Sequence, residues 1–357
     1  MMSSKKFVKY FMILVVLFLV FHIVMWETCT KYLLDEPAKV GDLARLSYSE
    51  DLADKQHKDY SIDLPKRHIK SSQYDYNESI DLITIGDSFS NGRAKAKNRY
   101  YQDYIATYSD INVLNIETTY LKRNTPLQTV VYMLNSGLLD EIKPKYLLIE
   151  SVERFTIQRL GKKKINMELN ASKEKLKTFF KKHPYSLHIP ENNMINTGNY
   201  KALLYKILYK FRDDAFISRI FKEKLSEKKF SVADGKQILI IREAIENIKK
   251  TNDKTITILN DNLNTLSRAL AKKGIKLYYM PAADKFNVYR KYILNDKLPK
   301  STFFEMLRKQ KREYTLIDTK KILSKKVDSG AIDVYYVDDS HWSYRASDEI
   351  FSKIRFK

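Results

Sequence analysis

A short turn that contains glycine and serine follows an apolar run, and it is a candidate for nucleophilic chemistry. The turn reads Gly86-Asp87-Ser88-Phe89-Ser90 and comes directly after residues 80–85. A serine hydroxyl is a weak nucleophile unless a base lies within hydrogen-bond reach and dipoles stabilise the oxyanion. The backbone N–H groups of a strand-to-helix turn can supply those dipoles. The alternative is a structural turn in which Asp87 or Ser88 caps the next helix.

A base for this serine is offered near the carboxyl terminus, in the run Asp338-Asp339-Ser340-His341-Trp342-Ser343. A carboxylate two or three residues before a histidine can accept the imidazole N–H and fix its tautomer. The other ring nitrogen is then left for a hydroxyl. A metal site would need further ligands nearby, and beyond Asp338 none is apparent in the sequence. We therefore expect neither a metal nor a cofactor.

The surrounding pattern predicts a sheet that brings the two motifs together. Apolar runs at 80–85, 111–116, 146–150, 275–281 and 314–318 predict strands. Pro126 opens a predicted helix that ends at Leu139, and a longer helical stretch over 232–273 is capped by Gly274. Residues 156–230 break this rhythm and predict an insertion of helices and loops. Alternating strands and helices predict an α/β fold with a mostly parallel sheet, in which function gathers at the carboxyl ends of the strands.

The amino-terminal residues predict a membrane anchor. Residues 10–26 are almost wholly apolar, close to the lower limit of about 17–25 residues for a spanning helix. Lys5, Lys6 and Lys9 precede them, so the positive-inside rule predicts a cytoplasmic tail at 1–9 and an extracytoplasmic remainder. The alternative is a cleaved signal peptide, but no small-residue cleavage site follows. Residues 27–77 predict a polar stalk that leads to a catalytic domain over 78–357.

The charge balance favours anionic partners. The chain has 64 Lys and Arg against 43 Asp and Glu, a formal net charge of +21. Such a field attracts nucleic acid, anionic lipid headgroups or an acidic cell-envelope polymer, although a lysine-rich solvated surface has the same composition. Because no nucleic-acid-binding signature is present, we expect no nucleic acid partner. The single cysteine, Cys29, excludes an intramolecular disulfide.

Gly86-Asp87-Ser88-Phe89 after the first predicted strand of the domain, with Asp and His in a carboxy-terminal block, resembles the SGNH (GDSL-type) hydrolases. The pair of Gly-Asp-Ser-Phe and Asp-x-His-Trp is closer still to the alginate and related cell-wall polysaccharide O-acetyltransferases of that superfamily. The resemblance implies a flavodoxin-like three-layer α/β/α sandwich. It also implies Ser88 as nucleophile, His341 as general base and acid, and Asp339 as the orienting carboxylate.

The chain departs from the family pattern in three respects. In the alginate enzymes the Asp-x-His-Trp block precedes the serine block, whereas here the order is that of ordinary SGNH esterases. Asp338 stands at the three-residue offset of many esterases and is the alternative orienting carboxylate. The family's glycine and asparagine oxyanion blocks are not cleanly present. Beside the N–H of Ser88, the oxyanion or substrate candidates are Asn124, Ser151, Arg154 and, as a sugar platform or plain packing, Trp342.

The function expected from the resemblance is an extracytoplasmic serine O-acyltransferase that modifies a cell-envelope polysaccharide through an acyl-Ser88 intermediate. By analogy with the O-acetyltransferases, the acyl group is expected to be acetyl and to be supplied by a membrane-bound O-acyltransferase. The acceptor would be an anionic envelope glycan. An esterase or deacetylase that uses water, and D-alanyl transfer to teichoic acid, are alternatives with the same residues. A further alternative is a non-catalytic protein of envelope assembly.

Overall fold

The computed structural model describes residues 3–34, 39–54, 57–121, 124–184 and 193–356. The predicted tail, stalk and insertion each include some residues outside these ranges. The strands are β1 Ile69–Lys70, β2 Leu82–Ile85, β3 Val113–Ile116, β4 Tyr146–Val152, β5 Ile220–Lys224, β6 Gln237–Ile241, β7 Lys276–Ala282 and β8 Thr315–Leu316. The helices are α1 Ser4–Met25, α2 Lys31–Leu34, α3 Asp42–Ser47, α4 Tyr101–Ser109, α5 Pro126–Asn135, α6 Leu138–Ile142, α7 Glu153–Leu160, α8 Lys173–Lys182, α9 Thr197–Leu208, α10 Arg242–Glu246, α11 Asp253–Ala271, α12 Lys285–Tyr289, α13 Phe303–Arg308, α14 Thr319–Asp328 and α15 Tyr344–Phe351.

The main sheet has six strands in the order β1-β3-β2-β4-β7-β8, and every pair in it is parallel. The central strands β2, β3 and β4 are buried along their whole length, as strands covered on both faces must be. The predicted α/β class with a mostly parallel sheet is therefore confirmed. A second, two-stranded antiparallel sheet is formed by β5 and β6.

Two groups of helices cover the main sheet. From β2 the chain passes through α4 to β3, then returns through α5 and α6 to β4 on the other side of β2. Right-handed crossovers in opposite directions put their helices on opposite faces. Accordingly α4 packs with α15 and α15 with α14, whereas α11 packs with α5, α7 and α13. The crevice between the carboxyl ends of β2 and β4 is the switch point where ligands bind in such sheets.

The long helix predicted over 232–273 is wrong as one continuous element, because residues 237–241 are a strand and the helical residues after it form the separate helices α10 and α11. Ile238, Ile241 and Ile245 have helical spacing, but residues 237–241 form β6, which pairs with β5. Tertiary pairing overrides the local pattern here, because a run such as Gln-Ile-Leu-Ile-Ile suits a strand equally well. Helix α11 starts later, where Asn252 caps it by accepting a hydrogen bond from Thr255 N–H. The antiparallel sheet thus joins the predicted insertion to residues beyond its boundary at 230.

The predicted stalk over 27–77 is also wrong for the residues that the structure describes there. Leu33, Val40, Leu43, Leu52 and Leu64 are buried in the main hydrophobic core. Strand β1 extends the main sheet at its edge by pairing with β3. The segment is polar in composition yet folds onto the domain. Its few apolar side chains are buried in the core, and the backbone of β1 forms hydrogen bonds with β3.

Helix α1 carries the apolar amino-terminal segment. It has 22 residues, a length of about 33 Å. The apolar helix that includes α1 is long and apolar enough to cross a membrane. Its side chains are almost all exposed, apart from His22 and Met25 near its carboxyl end. A turn of π-helix at Trp26–Thr30 then leads into α2 and the domain.

Candidate active site

The serine turn lies at the carboxyl end of β2 and needs glycine at its first position. A Cβ on Gly86 would stand 2.3 Å from Glu150 Oε2 and 2.2 Å from Ser90 Oγ. Glu150 Oε2 accepts hydrogen bonds from Asp87 N–H and from Ser90 Oγ–H, both at 2.9 Å. The turn is therefore fixed from below by a buried side chain of the neighbouring strand β4.

Asp87 joins the turn to the end of β4. Its Oδ1 accepts from Phe89 N–H at 3.2 Å, its Oδ2 accepts from Val152 N–H at 2.9 Å, and Arg159 pairs with the same carboxylate. Burial acts to raise the pKa of Asp87, but Arg159 and the backbone donors outweigh it and leave that pKa lowered. Burial and the nearby charge of Asp87 raise the pKa of Glu150 well above its usual value. The turn thus carries one carboxylate that favours its ionised form, Asp87, and rests on a carboxyl of β4 that favours its neutral form, Glu150.

The structure brings Ser88, His341 and Asp339 into one hydrogen-bonded chain. His341 Nε2 lies 2.8 Å from Ser88 Oγ, and His341 Nδ1 lies 2.6 Å from Asp339 Oδ1. Asp339 Oδ1 also accepts from the backbone N–H of His341 at 3.0 Å. His341 is buried and its ring packs against that of Phe89, with centroids 4.6 Å apart. Such a chain can carry the Ser88 proton to the imidazole, whose charge Asp339 would stabilise.

Asp338, the alternative orienting carboxylate, is engaged elsewhere. Its Oδ2 accepts from the backbone N–H of Gly41 at 2.7 Å and of Asp54 at 3.1 Å. Lys58 Nζ lies 3.0 Å from Asp338 Oδ1 and 3.6 Å from Asp339 Oδ2. In the structure it is therefore Asp339, not Asp338, that contacts the imidazole, and Asp338 binds the amino-terminal segment to the loop.

The pKa values of the adjacent residues Asp338 and Asp339 are shifted in opposite directions, although both lie beside the buried Lys58. Burial raises the pKa of Asp338 to about 6, because Lys58 compensates its charge only in part. Asp339 is equally buried, but His341 and Lys58 together hold its pKa well below the usual range. Burial acts to lower the pKa of Lys58, yet both carboxylates outweigh it and leave that pKa raised. The charged form of Asp339 is thus the one that the loop favours, as an orienting carboxylate requires.

The backbone of the same loop is fixed by a second buried lysine. Lys285 Nζ donates to the carbonyl oxygens of Tyr336, Val337 and Asp339 at 2.9 to 3.1 Å. Burial lowers the pKa of Lys285 to about 7. Because Gly41 lies so close that an added Cβ would be 2.1 Å from the carbonyl oxygen of Asp338, the loop is also enclosed from the amino-terminal side.

A cleft of about 410 Å³ opens above Ser88 and His341. Its wall includes Asn91, whose side-chain Oδ1 accepts from Asn115 Nδ2 at 3.3 Å. With that oxygen engaged, the Nδ2 group of Asn91 is the part of the amide that can donate to a ligand. The backbone N–H of Ser88 and the Asn91 amide, both in the cleft lining, are therefore the candidate pair of oxyanion donors.

The sequence-based oxyanion and substrate candidates lie in different surroundings. Asn124 Nδ2 donates to the carbonyl oxygen of Tyr120 at 2.7 Å, outside the cleft wall. Ser151 is fully buried in β4, away from the cleft lining. Arg154 does line the cleft, but its guanidinium pairs with Asp284. Trp342 is 5% exposed and packs edge-on against Phe89, so the packing alternative holds and the sugar platform does not.

Three of the site's polar side chains form a group that could hold a cation: Asp42, Asp339 and His341. The contacts of these groups give them another use. Asp42 accepts from both the N–H and the hydroxyl of Ser340, at 2.7 and 2.6 Å. Asp339 and His341 bind one another. The donor set is therefore already occupied by hydrogen bonds that shape the loop.

Several residues of the site were missed from the sequence. Asp42 and Lys58 fall in the supposed stalk, and Glu150 and Lys285 lie at the ends of strands without a recognisable motif. Asn91 is three residues after Ser88, and this offset from the serine is the one signal that could have singled it out. Comparisons were made with family models, curated proteins and solved structures, and none of the three gave a match.

Proposed function

We propose that this chain is a membrane-anchored serine O-acyltransferase of the SGNH type, with its catalytic domain outside the cytoplasm. The observation that carries the proposal is the hydrogen-bonded chain from Ser88 through His341 to Asp339 at the floor of an open cleft. The parallel sheet, with the serine after a central strand and the histidine near the carboxyl terminus, supports the SGNH fold. The apolar helix α1 supports the anchor, and the lysines before it support a cytoplasmic amino terminus.

The reaction proceeds in two acyl transfers. Ser88 Oγ attacks the acyl carbonyl of the donor while His341 Nε2 takes the hydroxyl proton. The oxyanion is stabilised by Ser88 N–H and Asn91 Nδ2, and His341 returns the proton to the leaving group. In the second step His341 deprotonates a hydroxyl of the acceptor, which attacks the acyl-Ser88 ester and restores the free serine. Asp339 keeps the imidazole in the required tautomer throughout.

The charges around the cleft support an anionic acceptor. Arg93 and Arg219 line both the cleft and a neighbouring recess of about 550 Å³, and Arg45 lines that recess. Arg219 pairs with Glu243, whereas Arg45 and Arg93 have no carboxylate partner in the part of the chain that the structure describes. Arginine binds carboxylate and phosphate groups in bidentate fashion, so these two side chains suit an acidic envelope glycan.

The partition of the acyl group between a glycan and water tests the proposal. The full chain in lipid nanodiscs would be given an activated acetyl ester together with a uronic acid oligosaccharide or a matched neutral one. We expect acetylated oligosaccharide, more of it from the acidic acceptor, and none with Ser88→Ala. Release of acetate alone would assign the chain as an esterase, and transfer only of D-alanyl esters would assign the sibling activity. Absence of any ester cleavage by folded protein would favour a non-catalytic role.

A further inference from the structure

Helix α9 carries an apolar face that the rest of the protein leaves uncovered. Four side chains of α9 at positions i, i+3, i+4 and i+7, and Phe211 three residues after its end, are 43% to 72% exposed; this apolar stripe consists of Tyr200, Leu203, Leu204, Ile207 and Phe211. Residues at this spacing lie on one side of a helix. Met194, Ile195, Phe216 and Ile217 on either side are also exposed. Outside α1 and this segment, exposed large apolar side chains in the described ranges are scattered singly, at Leu46, Tyr60, Leu121 and Leu294.

The opposite face of α9 is bound to the end of α1. Asn199 is buried, and its Nδ2 lies 2.7 Å from Nδ1 of His22, while its Oδ1 accepts from the hydroxyl of Thr30. Tyr200, at the start of the apolar stripe, also contacts α1, since its OH lies 3.1 Å from Nε2 of His22. Both ring nitrogens of the one histidine in the apolar helix are thus satisfied by α9. These contacts fix α9 at the level where α1 ends and the domain begins.

The apolar surface of α1 continues onto the stripe. The ring of Phe21 stacks on that of Tyr200, with centroids 4.9 Å apart. Lys201 lies on the same helix and Lys210 two residues after its end, and both are exposed; Lys206 of the helix is also exposed but pairs with Glu50. A helix with one apolar side and lysines on another, at the end of a spanning helix, has the composition of helices that lie in the membrane interface.

We propose that α9 lies in the outer interface of the bilayer, with its apolar stripe in the acyl boundary beside α1. The proposal rests on the anchoring role given to α1 under the proposed function. Lipid is the occupant that fits, because the stripe is continuous with a surface that must itself face lipid if α1 spans the membrane. The lysines would then meet anionic headgroups.

This placement brings the site close to the membrane surface. Asn196, Thr197 and Gly198 at the start of α9 line the recess that also contains Arg45 and Arg93, and the recess shares Asp42, Arg93 and Arg219 with the catalytic cleft. The recess and the cleft therefore form a continuous, polar-lined groove from the start of α9 to Ser88. An acyl group carried at the headgroup level could reach the serine without leaving the membrane surface.

The depth of single side chains in lipid vesicles tests the proposal. In a Cys29→Ser background, the full chain would carry a fluorophore at Leu203→Cys or Ile207→Cys. The matched controls are Lys201→Cys and Lys210→Cys on the same segment, and Leu14→Cys marks the centre of α1. Vesicles would contain phosphatidylcholine and phosphatidylglycerol with spin-labelled acyl chains. We expect strong lipid quenching at 203, 207 and 14, and quenching by aqueous iodide at 201 and 210.

The outcomes separate this inference from the proposal on which it rests. If position 14 is quenched by lipid but 203 and 207 behave like 201 and 210, the interfacial helix is contradicted and the anchor stands. If position 14 is also aqueous, both are overturned. Shielding of 203 and 207 that arises only in native membranes, and not in pure lipid, would assign the stripe to a protein partner and contradict the proposal.

Activity gives a second readout. The triple variant Leu203→Ser/Leu204→Ser/Ile207→Ser changes only exposed side chains and leaves the Asn199 contacts in place. We expect severalfold slower acyl transfer from a membrane-borne donor and unchanged cleavage of a water-soluble ester. An equal loss with both donors would show that the stripe acts through folding and would overturn the membrane role.

Discussion

Within the described ranges, two sets of serine, histidine and aspartate are hydrogen-bonded in the same order, and their surroundings differ. The first set consists of Ser88, His341 and Asp339, and the second of Ser231, His57 and Asp54. In the second, His57 Nδ1 lies 2.8 Å from Asp54 Oδ1 and His57 Nε2 lies 2.7 Å from Ser231 Oγ. Distances alone do not distinguish the two.

The difference lies in a fourth residue. Asp333 Oδ2 accepts from the hydroxyl of Ser231 at 2.6 Å, and its Oδ1 accepts from the N–H of the same serine at 2.9 Å. The carboxylate therefore competes with the histidine for the proton and occupies the backbone donor that an oxyanion would need. It would also repel that oxyanion. Among the residues that the structure describes, no carboxylate contacts the hydroxyl of Ser88. We therefore expect the hydrogen-bonded set to support catalysis only where the donors around the serine are left free.

Replacing each serine in turn gives the largest expected contrast. Ser88→Ala should lower ester turnover by roughly 10⁴–10⁶-fold, since the nucleophile is lost. Ser231→Ala should leave turnover within about twofold, since that hydroxyl only bridges His57 and Asp333. Steady-state kinetics with an activated acetyl ester measures both. Comparable losses in the two variants would contradict the assignment.

The two aspartates sharpen the same contrast. Asp339→Asn should lower kcat by on the order of 10³–10⁴-fold, because an amide at this position favours the wrong imidazole tautomer. Asp54→Asn should affect stability more than kcat, because Asp54 binds the backbone N–H and the ring of His57, a histidine away from the cleft. Kinetics and urea unfolding on the same samples separate the two effects. A kcat loss for Asp54→Asn equal to that of Asp339→Asn would not be compatible with the account.

Lys58 connects the two regions, since it binds Asp338 and Asp339 and follows His57 in the chain. Lys58→Met should lower the free energy of unfolding by about 3–5 kcal/mol, because it leaves buried carboxylates without a cation. The double variant Lys58→Met/Asp338→Asn should recover part of the loss, since one of those charges is removed. Urea denaturation gives both values. A Lys58→Met protein as stable as the parent would show that the buried pair is not needed.

Asn91 tests the oxyanion assignment. Asn91→Ala should lower kcat by roughly 10²–10³-fold with little change in KM, because the amide would act mainly in the transition state. Asn91→Asp keeps the oxygen that accepts from Asn115 and removes the donor, so it should be at least as impaired. A change confined to KM in both variants would place Asn91 in ground-state binding instead.

A buried carboxyl beside the cleft gives the smallest expected effect, on pH dependence. Glu153 accepts from Ser301 Oγ and Asn287 Nδ2, and burial and then Asp284 raise its pKa to about 7. The folded protein therefore binds this proton more tightly than the unfolded chain. Protonated Glu153 therefore contributes to the free energy of unfolding. This contribution is full below about pH 4.5 and is lost as the pH rises through 7, roughly 3 kcal/mol in all.

The variant Glu153→Gln should remove that dependence. Urea unfolding at pH 5 and pH 8 should show a smaller decrease for the variant than for the parent. An equal decrease in both proteins would mean that another group titrates. The hydrogen bonds of His57 and His341 should not change in this variant, since Glu153 contacts the loop before Lys285 and not the imidazoles.

The sequence predicts the sheet well where burial imposes continuous apolar runs. β2, β3, β4 and β7 all fall within the predicted runs or extend them by one or two residues. It fails where a local pattern has two readings, as in residues 237–241, which have helical spacing but pair as a strand. It also fails for the amino-terminal segment, which is polar in composition but contributes apolar side chains to the core and strand β1 to the sheet, and which binds Asp338 through backbone N–H groups and Lys58.

The sequence predicts the two motifs of the candidate site but not the residues that position their side chains. Ser88 and His341 carry recognisable neighbours in the sequence, whereas the choice between Asp338 and Asp339 depends on Lys58, a residue about 280 positions away that no local pattern connects to them. Asn91, Glu150 and Lys285 act through tertiary contacts of the same kind. Long-range partners of this sort leave no periodicity to detect.

The most direct measurement is the position of a covalent adduct on the full chain. Protein in nanodiscs would be treated with a serine-reactive phosphonate and mapped by peptide mass spectrometry. The account predicts a single adduct on the peptide that contains Ser88, absent from Ser88→Ala and retained in Ser231→Ala. Folded protein that stays unmodified, or an adduct on Ser231, would contradict it.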